Sequence, residues 1–404
     1  MKNNPRLSRD ELEIIRIYYI LNLLFYIHQG FIGATYALFF YSFGISKFLT
    51  NVLSSLFMVS VFVMEIPTGA YGDAFGYRKA LILAGVFLSL SMAIFSFGNT
   101  PWAFGIAQLL WGLSFAFESG TLDAWMVNNS YLTGPELDKI FVRSDKINNL
   151  SMIVSGLLGG YLASVDLALP WRLSAVSSML YVLIAALCVD DKIGGTGRIN
   201  FREGLGKISA IVKDSADFIF THPFLKYILT FNMILSFCFS PVFVYWSPYL
   251  NRLSGEGFWV LGWIWVFIKL ANLLGNFILE KLPKTGNYRL KILFSAVAWV
   301  SAIIFTASLY KHFITVLLLF LAFEVFLGVI QPLQKGYINE ALKSDERATL
   351  LSLDSMLSRA ANFLSLVVMG LIADFASMET TWLISALALL PNLAIIKVLA
   401  KHHP

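Results

Sequence analysis

Apolar runs of about twenty residues recur from end to end of this 404-residue chain, separated by short polar loops, and a run of that length is what an α-helix needs to cross a bilayer. The runs fall at 14–42, 46–72, 79–99, 101–130, 143–165 and 171–189. After one polar stretch they resume at 223–250, 257–281, 290–310, 312–341, 349–375 and 379–400. Backbone amides have no water to bond to inside a bilayer, so closed helices are the fold open to such runs. The expectation is an all-α membrane protein of twelve transmembrane helices. Composition agrees: 57 % of residues are hydrophobic and 14 % charged, against about 25 % charged in soluble domains, which need a wetted surface.

An even number of spans puts both termini on one side, and the basic residues say which. Arg78 and Lys79, then Lys139, Arg143 and Lys146, then Lys281, Lys284 and Arg289, then Lys343 and Arg347 all fall on that side; the opposite loops carry Lys47, Arg172, Arg252 and Lys311. Both termini are therefore expected in the cytoplasm, and the chain in the plasma membrane, the inner membrane of a bacterium. The formal charge of +5 reads as topology rather than as affinity for nucleic acid. Residues 1–16 are polar, with no removable signal peptide expected. Cys188 and Cys238 lie inside apolar runs, and no disulfide or metal site is expected of them.

The polar stretch 190–222 holds Gly194, Gly195 and Gly197 and reads as a cytoplasmic linker between two six-helix halves, 1–189 and 223–404. Internal repetition supports the halves. A shift of about 210 residues sets Asn22 on Asn232, Tyr36 on Trp246, Phe39 on Tyr249, Ser155 on Ser365, Gly160 on Gly370 and Ala163 on Ala373. A shift of about 216 sets Gly112, Gly120 and Asp123 on Gly328, Gly336 and Asn339. Two pseudo-symmetric six-helix bundles are the arrangement expected of many transporters.

Between the second and third spans stand Gly69, Asp73, Gly76, Arg78 and Lys79. This set resembles the signature Gly-x-x-x-Asp-x-x-Gly-x-Arg-Lys/Arg of the major facilitator superfamily, whose twelve-span fold the whole chain matches in count and halving. The resemblance implies a cytoplasmic gate in which Asp73 faces the positive end of a helix of the other half. Physics gives each residue a part: Gly69 allows close helix approach, Gly76 a tight turn, and Arg78 an ion pair with Asp123. The basic pair is equally accounted for by topology alone. The second-half counterpart, Gly275 to Lys281, is degenerate. The chain also resembles the multidrug, proton-antiporter branch, with two departures: Gln108 replaces that branch's arginine in span four, and Ser155-Gly156 its proline motif in span five. Gly112, Ala116, Gly120 and Ala124, and likewise Ser151, Ser155, Gly159 and Ala163, form small-residue stripes suited to close packing in lipid.

An ionisable side chain at mid-bilayer costs about 2.5–3.5 kcal/mol and marks a functional candidate. Glu118 lies near the middle of span four, a cavity-lining helix in the resembled fold, where a carboxylate can hold a cation or carry a proton. His28 and Gln29 lie mid-way along span one, and Glu65 precedes Pro67 near the gate loop. Lys269, Glu324 and Arg359 are candidates for a second-half cluster, and Tyr36 and Trp246 for aromatic cavity walls. Each has a purely structural alternative, as a helix-bonding or mutually neutralising group. Aromatics with one or two acids suit an amphipathic or cationic solute better than a sugar, which calls for several Asn, Gln and Asp.

No nucleotide loop, metal-ligand cluster or nucleophile motif appears, so neither an enzyme nor a cofactor is expected. The readings left are a secondary transporter exporting lipophilic or cationic small molecules against protons, an uptake symporter for a small metabolite, and a transporter-like receptor without flux. A monomer in the lipid bilayer is expected. The topology is tested by a Gly195→Cys variant in a background lacking Cys188 and Cys238. In intact cells an impermeant thiol reagent is expected to leave it unlabelled, and efficient labelling overturns the cytoplasmic placement.

Overall fold

In the computed structural model the described residues are 8–130, 132, 134–190, 223–282, 287–340 and 344–400. The expected 190–222 linker lies, beyond Asp190, outside them. Among the described residues there are helices and no strand: α1 (Arg9–Gly33), α2 (Tyr36–Ser42), α3 (Lys47–Phe75), α4 (Tyr77–Phe97), α5 (Pro101–Glu118), α6 (Thr121–Asn129), α7 (Pro135–Val165) and α8 (Leu169–Cys188). They continue as α9 (Pro223–Ser254), α10 (Trp259–Lys281), α11 (Asn287–Leu309), α12 (Phe313–Glu340), α13 (Ser344–Phe375), α14 (Met378–Leu389) and α15 (Pro391–Leu399). Their order is consistent with the twelve expected spans, with α1–α2, α5–α6 and α14–α15 as interrupted ones. Among the described residues, nine helical segments, α14–α15 taken as one, are long and apolar enough to cross a membrane, ten with the α1–α2 pair, which bends by 57°. The spans outside that count are α5–α6, broken after Glu118, and α7, whose first half is polar.

Local chemistry sets the helix ends. Ser8 and Glu11 form a reciprocal capping box at the start of α1, with Ser8 N–H donating to Glu11 Oε2 at 2.7 Å and Glu11 N–H to Ser8 Oγ at 3.2 Å. Thr100 caps α5 ahead of Pro101, and Ser377 caps α14. Gly76, at φ 96°, makes the sharp joint between α3 and α4 that a side chain would strain.

The helices form two compact units, Met1–Thr35 with Leu56–Leu205, and Tyr36–Ser55 with Gly206–Pro404. In the first, α1 packs on α7 and α8, and α4 on α5 and α8. In the second, α9 packs on α13 and α14, and α11 on α12 and α14. The two neighbour patterns are the same once spans are paired one-to-seven through six-to-twelve, so the repetition read from sequence is also a repetition of packing. Equivalent glycines show it at atomic scale. A Cβ on Gly112 would strike the Phe57 carbonyl, and one on Gly328 the Asn272 carbonyl, one about 216 residues after the other. Gly159 meets the backbone of Phe31 in the same intolerant way, drawing α7 against α1.

The segment Tyr36–Ser55 packs with the second unit, although the sequence boundary at 189 assigns it to the first. Its anchor is a carboxylate from α13. Asp374 accepts from the backbone N–H of Lys47 at 3.0 Å and of Phe48 at 2.9 Å, capping the start of α3, and faces Lys47 Nζ at 3.7 Å. One turn along, Asn51 Nδ2 donates to Tyr245 Oη at 2.8 Å and the Leu366 carbonyl at 3.0 Å. A helix cap is worth about 1 kcal/mol, and nothing in the 36–55 segment replaces both oxygens. Asp374→Ala is expected to lower the thermal unfolding midpoint of the detergent-solubilised protein measurably, and Asp374→Asn by less. An unchanged midpoint in Asp374→Ala contradicts the anchoring role.

Candidate functional site

Span four is broken at its centre. α5 ends at Glu118, Ser119 leaves the helical region, Gly120 takes the left-handed conformation at φ 74°, and α6 starts at Thr121. The local sequence Ser-Gly-Thr explains the break, since Gly alone adopts that conformation without strain and Ser and Thr favour helix ends. A break exposes the last carbonyls of α5 and the first amides of α6. The Thr68 hydroxyl on α3 meets one of the former, the Ala116 carbonyl, at 2.8 Å. Asp123 stands in the first turn of α6, where an acid is favoured by the helix dipole.

Two stripes on neighbouring helices face this break. On α1, Tyr18, Asn22, Tyr26 and Gln29 recur at helical spacing; on α7, Phe141, Ser144, Asp145, Asn148, Asn149 and Met152 do the same. With Glu118, Ser119, Gly120 and Asp123 they line a cavity of about 600 Å³ within the first unit, a size usual for small-molecule sites. Tyrosines on α1 hold both acids of the broken span. Tyr26 Oη donates to Glu118 Oε2 at 3.0 Å, and Tyr18 Oη to Asp123 Oδ1 at 2.7 Å. Asn22 donates to the Tyr18 carbonyl and receives a long contact, 3.4 Å, from Asn148 Nδ2. Glu118 is 4 % exposed, so its carboxylate is deep while the cavity gives it a polar outlet.

Of the residues singled out from sequence, Glu118, Gln29 and Asp123 meet at this cavity. His28 does not. It is fully buried, its Nδ1 against the Phe25 carbonyl and its Nε2 accepting from Trp111 Nε1 at 3.1 Å, which ties α1 to α5. Glu65 lies exposed on α3, outside the cavity lining. Tyr36 and Trp246 belong to the second unit. Tyr36 Oη lies 2.7 Å from Ser54 Oγ, and Trp246 is buried, stacked on Phe320 with centroids 5.8 Å apart. Glu324, 4 % exposed, lies near Asn272 and Lys269, which itself sits over the Trp265 ring at 4.7 Å. Arg359 Nε donates to Ser355 on its own helix.

At the gate loop the structure shows a separate contact for each member of the expected pair. Asp123 takes the Tyr18 hydroxyl, while Arg78 donates to the Ala186 carbonyl in the last turn of α8, where a helix end favours a cation. A Cβ on Gly69 would meet open space within this structure, and Lys79 is exposed. The Asp73 side chain lies outside the described residues.

The polar stripe of α7 is what sequence reasoning missed. Its signal is present: Ser144, Asp145, Asn148 and Asn149 recur at helical spacing just where the small-residue stripe begins. Asn22, Gln29, Asn148, Asn149 and three acids make this wall more polar than the aromatic cavity expected from sequence.

Comparison with known proteins agrees with this architecture. The family model for the Major Facilitator Superfamily matches residues 18–364. The MFS-type transporter YxaM of Bacillus subtilis (strain 168) is 22 % identical over 390 residues, 95 % of this chain and 96 % of that protein. Multidrug resistance protein 2 of the same organism is 20 % identical over 329 residues, 80 % of this chain and 79 % of that one. Among solved structures, the nucleoside transporter NupG superposes with a TM-score of 0.74 at 12 % identity, covering 98 % of this chain and 100 % of its own. A D-xylose-proton symporter does so with 0.71 at 13 %, covering 95 % and 97 %. The likeness to these structures is one of fold.

The Tyr26 hydroxyl is the donor that holds Glu118 in place, so Tyr26→Phe should leave a buried carboxylate short of a partner. A destabilisation of about 1–3 kcal/mol is expected, read as a lower unfolding midpoint, with Tyr26→Phe/Glu118→Gln recovering part of it. An equal loss in the single and double variants contradicts the coupling.

Proposed function

Because the chain belongs to the major facilitator superfamily, we propose that it is a proton-coupled secondary transporter that exports lipophilic or cationic small molecules by alternating access. The observation that carries the reading is Glu118, a buried carboxylate at the interruption of a span, held by one tyrosine and open to a polar cavity. Coupling requires that proton and substrate bias the same two-state equilibrium, and one acid that each occupies in turn is the least machinery that achieves it. The broken span supplies the rest. Discontinuous helices put free backbone groups and a local hinge beside the site, as in other transporters with midplane binding. Glu118 is assigned as the shared proton and substrate acid, with Gln29 and Asp123 beside it. The export direction is favoured by the similarity to a protein named for multidrug resistance.

The loop of Gly69, Asp73, Gly76, Arg78 and Lys79 is assigned the cytoplasmic gate, with Arg78 anchored on α8 by the Ala186 carbonyl. Residues 1–189 and 223–404 are the two moving halves, the 190–222 linker and both termini are cytoplasmic, and the working unit is a monomer in the inner membrane of a bacterium. A second reading, uptake of a small hydrophilic metabolite with protons, is favoured by the polar lining, since the same site works in either direction and the gradients decide.

A screen of compound sensitivity and uptake in cells with and without the protein, with and without a proton uncoupler, supplies a carried compound. In proteoliposomes the wild type is expected to concentrate it when a pH gradient is imposed. Glu118→Gln is expected to fold, bind and equilibrate it but to lose the gradient response. If the variant concentrates the compound as the wild type does, Glu118 is structural and the coupling assignment fails.

A further inference from the structure

The cavity beside Glu118 has a charge pattern that narrows its occupant. Three carboxylates line it, those of Glu118, Asp123 and Asp145, and the lining includes no Lys, Arg or His. Arg143 and Lys146 flank Asp145 in sequence and are exposed, as Asp145, Asp123 and Asn149 also are, but neither lines the cavity, and Arg143 lies over the Tyr19 ring at 5.9 Å. A concave wall of one sign with low-dielectric surroundings concentrates ions of the opposite sign. Around it stand groups that both donate and accept: Asn22, Gln29, Asn148 and Asn149 amides, with Phe141 and Met152 as the aliphatic or aromatic hydrocarbon on the wall.

The hydrogen-bonding capacity of the wall is only partly used. Tyr18 and Tyr26 each meet one oxygen of a carboxylate that has room for about four donors. Ser144, beside Tyr18, is 3 % exposed, and its hydroxyl makes no hydrogen bond of good geometry. Asn148 Oδ1 is likewise buried without a partner. Buried polar atoms are rarely left in that state unless water or a ligand completes them, and here both belong to the α7 stripe that walls the cavity.

We propose that this cavity binds a hydrophilic organic cation, a small molecule carrying an ammonium or guanidinium group together with hydrogen-bonding groups, and that Asp123 and Asp145 select its charge while Ser144, Asn148 and Asn149 select its polar body. The inference rests on the transport reading above and takes the cationic side of its substrate class, against the lipophilic side. A neutral polyol would satisfy the amides but leave the charge of the cavity's carboxylates uncompensated. A lipophilic cation would satisfy the acids but strand the amides and the Ser144 hydroxyl against hydrocarbon, which costs a hydrogen bond for each.

Equilibrium binding to the purified full-length protein tests this without any gradient. The probes are agmatine and choline as hydrophilic cations, myo-inositol as the neutral polyol, and tetraphenylphosphonium as the lipophilic cation. Saturable binding of at least one hydrophilic cation is expected, by calorimetry and by thermal stabilisation, with inositol and tetraphenylphosphonium weaker by about tenfold or more, the ratio that one charge-assisted hydrogen bond supports. Asp145→Asn and Asp123→Asn should each weaken the bound cation by about tenfold, and Asn149→Ala by less. The unliganded melting curves of the variants establish that they fold. Absence of binding by both hydrophilic cations overturns the proposal, as does tighter binding of inositol or tetraphenylphosphonium, or an affinity indifferent to both aspartate variants. Failure here is separable from failure of the coupling role. A cation that binds through Asp123 and Asp145 yet shows no gradient-driven flux removes Glu118 coupling alone, whereas coupled flux of a lipophilic compound removes this inference alone.

Discussion

A carboxylate inside a bilayer must have a partner, and the contact between Tyr26 and Glu118 is where this structure meets that demand. The rest of the first unit is arranged around it. Glu118 closes α5, and the turn at Gly120 both ends that helix and starts the next. Five residues apart, Glu118 and Asp123 would point about 140° apart around an unbroken span four. The break instead gives each acid its own tyrosine on α1, eight residues apart in the Tyr18–Tyr26 stripe. Close packing of α1 on α7, through Gly159 against Phe31, brings the second polar stripe into range and makes a cavity rather than a single buried acid.

Glycine contacts of this kind are the general device of the fold. Helices in lipid gain nothing from burying apolar side chains against one another that lipid would not also give, so close backbone approach carries the association. The paired contacts Gly112 on Phe57 and Gly328 on Asn272 show the same device used twice, once in each unit. The units differ in what they place around it. The first surrounds the broken span with amides and acids, and the second builds an aromatic stack of Trp246, Phe320 and Trp382 and sets Lys269 near Glu324. Duplication thus accounts for the scaffold, and divergence of the lining for the chemistry.

How much of this was legible beforehand follows from the same physics. The bilayer admits few backbone solutions, so the helical type and the order of the elements could be read from apolar length, and the helices depart from the expected runs mainly where α1, α7 and α13 continue into polar sequence, from Arg9, Pro135 and Ser344. The internal repeat was legible because small residues at helix crossings leave little choice of side chain. Glu118 was legible as a charge out of place. The α7 stripe was passed over because the small residues Ser151, Ser155 and Gly159 follow it closely and their packing explanation appeared sufficient. Tertiary choices were not legible at all. Sequence spacing cannot tell that Arg78 would take a helix-end carbonyl and Asp123 a tyrosine, that His28 would bond Trp111, or that Asp374 would cap a helix that starts at Lys47.

The central claim is that Glu118 is a protonatable carboxyl reachable from a polar cavity and not a sealed structural acid. Dicyclohexylcarbodiimide, which attacks protonated carboxyls in apolar surroundings, measures this directly when the protein in native membranes is treated and its peptides are analysed by mass spectrometry. The account predicts a single dominant adduct within the 101–129 region, at Glu118, formed more slowly as the medium is made alkaline and more slowly in the presence of a bound cation. An unmodified Glu118 under conditions that label other membrane carboxyls of the chain, or labelling indifferent to pH, would contradict it.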